Sequence, residues 1–257
     1  MSLSGKTLVV TGASQGIGLA VARGGVSEGA RVLGVARTIS PELKASGAVP
    51  MSADLSTTEG PRDVVRRAVT EFGELDVLVN NVGAFDARLD GFTAITDEQW
   101  QSTFEVNFFS AVRAIRAALP TLLKRRGAII NVSSIRGRFP QPATVDYGAA
   151  KAALTNLGKA LAEELGQQGV RVNTVSPGPT RTPAWESDHG IGAALAAANG
   201  TTVREFLAGF PSKAGLNTGR LTEPDEVAAL VLFLASGQVH NINGADYVID
   251  GGQSKTA

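Results

Sequence analysis

Cysteine is absent from this chain of 257 residues, which excludes disulfides, thiolate metal sites and a cysteine nucleophile and fits a reducing compartment. Histidine is nearly absent: His189 and His240 stand alone, neither with partners at metal-ligand spacing, so no metal site and no Ser-His-Asp triad is expected. An excess of either charge is missing as well. Lys plus Arg and Asp plus Glu number 24 each, so no net field draws in nucleic acid or an anionic membrane. No apolar run reaches the ~18 residues of a spanning helix. The apolar run near Met1 is too short for a signal peptide, and the expectation is a soluble, cytoplasmic protein with neither nucleic acid nor membrane as partner. The 30 glycines are scattered, with no period and no low-complexity tract.

Apolar, β-branched runs are plentiful. They lie at Thr7–Gly12, Arg31–Ala36, Val49–Asp54, Leu75–Asn80, Ala128–Ser133, Val170–Val175 and Tyr247–Asp250, with longer helical patterns between them. Most are apolar on both faces, as in a parallel sheet covered on each side. Strand-helix alternation over this length predicts an α/β fold: one doubly wound domain over residues 1–257. Helix starts are marked by Ser56 with Glu59, Thr96 with Gln99 and Thr222 with Asp225, and by Pro61 and Pro224 in first turns. Lys124, Arg125 and Arg126 close a long helical pattern, where positive charge suits the carboxyl end of the dipole.

Two stretches carry chemistry. The first strand runs into Thr11-Gly12-Ala13-Ser14-Gln15-Gly16-Ile17-Gly18, which opens a helix. Glycines there allow a tight turn and let backbone amides approach a pyrophosphate at the positive helix end. The second is Val145-Asp146-Tyr147-Gly148-Ala149-Ala150-Lys151, with Tyr147 and Lys151 one helical turn apart on one face. An ammonium so placed favours phenolate and suits the tyrosine to acid/base work.

Together with Asp54-Leu55, Asn80-Asn81-Val82-Gly83, Asn107, Ser134, Pro177-Gly178 and Asp250-Gly251-Gly252, these motifs resemble the short-chain dehydrogenase/reductase superfamily along essentially the whole chain, and 3-oxoacyl-[acyl-carrier-protein] reductase-like members within it. The resemblance implies a Rossmann-type, seven-stranded parallel sheet with helices on both faces. It also implies an NAD(P)-dependent enzyme interconverting a ketone and a secondary alcohol, with Tyr147 as general acid/base. Lys151 would tune that phenol and bind the nicotinamide ribose, Ser134 would hold the substrate oxygen, and Asn107 would anchor a water leading from Lys151 to solvent. Ser133 is the neighbouring alternative to Ser134, and a satisfied core hydrogen bond is the alternative for Asn107. Cofactor contacts would come from Gly12, Ser14, Gln15, Gly16, Ile17, Gly18, Asp54, Leu55, Asn81, Gly83, Tyr147, Lys151, Pro177, Gly178, Thr180 and Thr182.

The end of the second strand, Val35-Ala36-Arg37-Thr38, has no carboxylate for a ribose 2′-hydroxyl, whereas Arg37 can pair with a 2′-phosphate. NADP(H) is therefore expected over NAD(H), although Gln15 stands where many NADP-dependent relatives carry a second basic residue. Residues 184–217 break the alternation with Ala-rich sequence holding Trp185, Phe206 and Phe210, and resemble the family's variable substrate lid. Arg136 and Arg138 are either ligands for an anionic substrate group or ordinary paired surface arginines. The helix from Tyr147 to about Leu165 is apolar around much of its circumference, which agrees with the family's dimers and tetramers and predicts a homo-oligomer. An NAD-dependent dehydrogenase, a 3-oxoacyl thioester reductase and a non-catalytic nucleotide sensor are the competing functions.

Overall fold

Each of the seven β-branched runs forms a strand in the computed structural model, which describes residues 2–255. They are β1 (Thr7–Thr11), β2 (Arg31–Ala36), β3 (Val49–Ser52), β4 (Val77–Asn80), β5 (Ala128–Val132), β6 (Arg171–Pro177) and β7 (Asp246–Ile249). All pair in parallel, in the order β3-β2-β1-β4-β5-β6-β7. The order reverses direction between β1 and β4. In open α/β sheets that switch point leaves a crevice outside the carboxyl ends of the strands.

Ten α-helices connect and cover the strands among the described residues: α1 (Gly16–Ser27), α2 (Pro41–Ala45), α3 (Gly60–Phe72), α4 (Asp97–Phe104), α5 (Ser110–Arg125), α6 (Val145–Gly166), α7 (Pro183–Glu186), α8 (Ile191–Ala198), α9 (Val203–Lys213) and α10 (Pro224–Ala235). Side chains alternate across the strands, so Leu8 and Val10 of β1 pack with α1, α2 and α10, while Val9 faces α3, α5 and α6. Two buried clusters result, one on each face of one sheet.

The helix signals hold in kind and shift in detail. Thr96 and Gln99 form the expected capping box at α4. At α10 the box moves one residue, to Glu223 and Glu226, because Pro224 takes the first turn and Thr222 is drawn into a bridge with Thr180. Ser56 does not cap α3: its hydroxyl donates to Asp54 at 2.7 Å, and Thr57 instead receives the Gly60 N–H at 3.1 Å. Strand limits also differ, for β3 stops at Ser52 before Asp54, and Leu75 and Asp76 precede β4. Asp76 is buried and joins two elements, accepting the Thr7 N–H at 2.9 Å and Arg125 Nε at 3.0 Å. The basic cluster does end α5: Lys124 and Arg125 lie in its last turn, and Arg126 follows in the left-handed region at φ 49°.

Candidate functional site

The loop between β1 and α1 is shaped by close backbone approaches. Gly12 and Gly16 have φ of 67° and 54°, a region costly for residues with a Cβ. A Cβ on Gly18 would collide with the Gly12 carbonyl oxygen, so Gly18 sets how tightly α1 folds back under the loop. Asn81 braces the loop from β4, its amide donating to the Thr11 and Gly12 carbonyls at 2.9 and 3.2 Å. Thr11 in turn accepts the Asn81 and Val82 N–H groups through its hydroxyl, at 2.8 and 3.1 Å. α1 begins with no side-chain cap and no acidic residue in its first turn, so its N-terminal amides and positive dipole end are open to an anion.

One cavity of about 820 Å³ runs along the carboxyl ends of the strands. Of the residues expected to bind cofactor, Gly12, Ser14, Gln15, Gly16, Ile17, Arg37, Asp54, Leu55, Asn81 and Gly83 line it from the β1–β4 side. Pro177, Gly178, Thr180 and Thr182 line it from β6. Gly18 is the exception. It stands behind the wall as a packing residue. Arg37 is exposed at the cavity edge with its guanidinium in no ion pair among the described residues, and its charge helps the Ser56 hydrogen bonds hold the Asp54 carboxyl below the usual range. Thr182 lies against Gly16, where a Cβ would come within 3.0 Å of its methyl group. Pro183 then opens α7 at a position that needs no N–H. An open helix terminus and a turn shaped by glycines at the cavity wall together fit a dinucleotide.

The catalytic candidates converge on the opposite wall, where Ser134, Tyr147 and Lys151 all line the same cavity. The two serines part company here. Both line the cavity, but Ser133 Oγ donates to the Lys151 carbonyl at 3.0 Å and shares a hydrogen bond with Thr155 at 2.8 Å, whereas Ser134 Oγ accepts the Arg136 N–H at 3.1 Å and lies beside the Tyr147 phenol. Lys151 is buried, its Nζ donating to the Val132 carbonyl at 3.0 Å and lying 5.7 Å from the Tyr147 ring centre. Burial pulls its pKa down to about 8. Burial likewise pushes the Tyr147 phenol up to about 12, against the Ser134 hydrogen bond and the positive charge of Arg136. In this geometry the ammonium's hydrogen bond goes to the Val132 carbonyl, and the downward pull on the phenol comes from Ser134 and Arg136.

Asn107 sits behind the cavity, in a π-helical turn (Glu105–Phe109) between α4 and α5. Its amide donates to the Ala84 and Thr103 carbonyls at 2.7 and 2.9 Å and accepts the Ala84 N–H at 3.2 Å. The side chain is thus a clip between the helix and the loop after β4, which is the core hydrogen-bond role. It also borders Gly83, where a Cβ would sit 3.1 Å from Asn107 Oδ1 and 3.3 Å from Lys151 Nζ.

Several lining residues gave no sequence signal. Phe85 packs on the Tyr147 ring at 4.8 Å, and Ile191, Leu195 and Lys213 join Trp185, Phe206 and Phe210 from the 184–217 segment. That segment is three helices, not irregular chain, with Phe210 stacked between Trp185 and Phe206 at 4.7 and 5.4 Å. The two arginines after Ser134 separate: Arg138 is paired with Asp246 at 2.9 Å, whereas Arg136 lines the cavity. Among the described residues no three His, Asp or Glu side chains come together as a metal site, and no helix is long and apolar enough to cross a membrane.

Known proteins place this geometry. Residues 12–254 match the family described as enoyl-(acyl carrier protein) reductase. An uncharacterized oxidoreductase, YvrD of Bacillus subtilis, is 37% identical over 98% of this chain and 97% of its own length. The L-fucose dehydrogenase of Mus musculus is 37% identical over 97% of this chain and 88% of its own. Among solved structures, L-sorbose reductase from Gluconobacter frateurii, complexed with NADPH and L-sorbose, superposes with a TM-score of 0.91 at 34% identity, over 100% of this chain and 99% of that one. With matches along the full chain and the same fold, the chain belongs to the short-chain dehydrogenase/reductase family, oxidoreductases that act on CH–OH and carbonyl groups with a nicotinamide cofactor.

Proposed function

We propose that this chain is an NADP(H)-dependent oxidoreductase that interconverts a ketone and a secondary alcohol, with Tyr147 as general acid/base. The carrying observation is the placement of Ser134, Tyr147 and Lys151 on one wall of a cavity whose other wall is the glycine loop. When bound, the dinucleotide supplies or accepts the hydride. The phenol, with its pKa near 12, holds its proton at neutral pH and is set to deliver it to a carbonyl oxygen in the reductive direction. Ser134 Oγ, beside that phenol, holds the same oxygen. Lys151, with a pKa near 8, is charged at neutral pH and would supply N–H donors to the nicotinamide ribose. Arg37 favours a 2′-phosphate, and the NADPH bound in the sorbose reductase supports that choice. Asp54 and Leu55 would contact the adenine, and Thr180 and Thr182 the nicotinamide side of the cofactor. Segment 184–217 serves as the substrate lid, and its Trp185, Phe206 and Phe210 give the substrate an apolar wall.

Turnover of a ketone, aldehyde, oxoacyl thioester and sugar panel with both cofactors tests the reading, in wild type, Tyr147→Phe and Arg37→Asp. Tyr147→Phe is expected to bind cofactor normally and to lose about 10²–10⁴ in rate. Arg37→Asp is expected to shift preference from NADPH toward NADH. Full activity in the phenylalanine variant, or a wild type that prefers NAD, overturns the corresponding half. NADPH binding with no turnover of any panel member favours a nucleotide sensor instead.

A further inference from the structure

The substrate half of the cavity carries a positive charge that hydride transfer does not require. Arg136 lies two residues after Ser134, in the 3-10 turn Ile135–Gly137, and its side chain lines the cavity beside Tyr147. It is half-buried, and burial holds its pKa below the usual guanidinium value. The guanidinium donates to the Phe139 carbonyl at 3.3 Å and enters no ion pair among the described residues. Asp250 acts on it only at longer range, its carboxylate being engaged by the Gly252 and Ser254 N–H groups at 2.9 and 2.7 Å. Arg138 shows the ordinary alternative, a surface arginine neutralised by Asp246.

The surroundings point the same way. Asp54, after β3, is the only acid lining the cavity among the described residues, so the part near Tyr147 has none. Lys213, at the carboxyl end of α9, adds an exposed cation to that part beyond the buried Lys151 ammonium. Trp185, Ile191, Leu195, Phe206 and Phe210 give that part its apolar wall. A half-buried guanidinium with spare N–H donors leaves desolvated charge uncompensated until an oxyanion meets it.

We propose that Arg136 is the counter-ion for a carboxylate on the substrate: the molecule handled at Ser134 and Tyr147 is an oxo or hydroxy acid whose apolar or ring-shaped body lies against Trp185 and Phe210. The proposal rests on the oxidoreductase reading of this cavity. A carboxylate suits the site better than a phosphate dianion, because the half-buried guanidinium matches a single negative charge and the Lys213 ammonium is solvated. A neutral ketone or sugar would leave the guanidinium unmatched.

The test compares wild type, Arg136→Gln and Arg136→Lys, as full-length enzyme with NADPH or NADP+, on cyclic and straight-chain oxo and hydroxy acids, their phosphate-monoester analogues and their amides of the same skeleton. Wild type is expected to favour acid over amide by about tenfold or more in kcat/KM, the range of a charged hydrogen-bonded pair. Arg136→Gln is expected to bring that ratio near one, chiefly through KM, with Arg136→Lys keeping part of it. In parallel, calorimetry of benzoate and benzamide binding to the NADP+ complex reads the subsite without turnover. Turnover with no acid preference, a preference that survives in Arg136→Gln, or a stronger preference for the phosphate monoester overturns the carboxylate site and leaves the oxidoreductase standing. Benzoate binding that depends on Arg136 in an enzyme turning over nothing on the panel supports the site and overturns the hydride-transfer reading.

Discussion

A lysine as buried as Lys151, with one carbonyl partner, is expensive to keep charged. Its pKa falls from 10.5 to about 8, so the folded state releases its proton more readily than the unfolded chain does. The linkage sign follows: stability rises as pH climbs from about 8 to 10.5, and below 8 the folded protein carries the full penalty of a buried ammonium, on the order of 3 kcal/mol. Lys151→Met should therefore melt higher than wild type at pH 7, with the advantage shrinking toward pH 10, while turnover is lost. Thermal melts at the two pH values check this, and a methionine variant less stable than wild type at both would show that the ammonium is well compensated. Residue identity and spacing made Tyr147 and Lys151 legible before any coordinates. The direction of each pKa was not, because it depends on what surrounds the side chains: the Val132 carbonyl takes the ammonium, and Ser134 and Arg136 flank the phenol.

Between elements, the loop after β4 is tied to the start of α6 by a buried ion pair. Arg88 donates to Asp146 Oδ2 through Nη2 at 2.6 Å and Nε at 2.9 Å, and Thr103 of α4 donates to the same oxygen at 2.9 Å. Asp146 Oδ1 accepts the Tyr147 N–H at 2.9 Å, so the pair fixes the first turn that presents the phenol. Removing one partner strands a desolvated charge. Arg88→Met or Asp146→Leu alone should cost about 3–5 kcal/mol in urea unfolding, and the double variant much less than their sum. Strictly additive losses would mean that the two side chains do not depend on each other. Nothing in the sequence hinted at this pair, because its members are 58 residues apart and belong to different elements. The helices themselves were legible wherever a local cap or periodicity set them, as at Thr96 and Gln99, and misplaced by a residue where tertiary pairing competed, as at Thr222.

At the scale of the molecule, the sheet leaves both faces covered and one end open, and apolar surface remains outside the cores. The outward apolar residues of α6 are mostly accounted for within the chain, since Leu157 and Leu161 pack against one core. Exposed aromatics gather before α5 instead: Phe92 and Phe109 are 68% and 39% exposed, and Phe92, Trp100, Phe104, Phe108 and Phe109 follow one another in ring contact. A surface of this kind is suited to a second copy of the chain. Sedimentation should find an oligomer, and Phe92→Glu with Phe109→Glu should lower its mass; a wild type sedimenting at 26.5 kDa would remove the prediction. The sequence by itself determined the seven strands, their parallel pairing, the glycine loop and the Tyr-Lys turn, because strand burial, turn chemistry and helical spacing act over a few neighbouring residues. Only the tertiary structure decided which serine has its hydroxyl tied to Lys151 and Thr155, which arginine lacks an acid, and that Gly18 and Asn107 stand behind the wall. Those outcomes depend on which side of the backbone meets chain from a distant element, and local spacing carries no information about that.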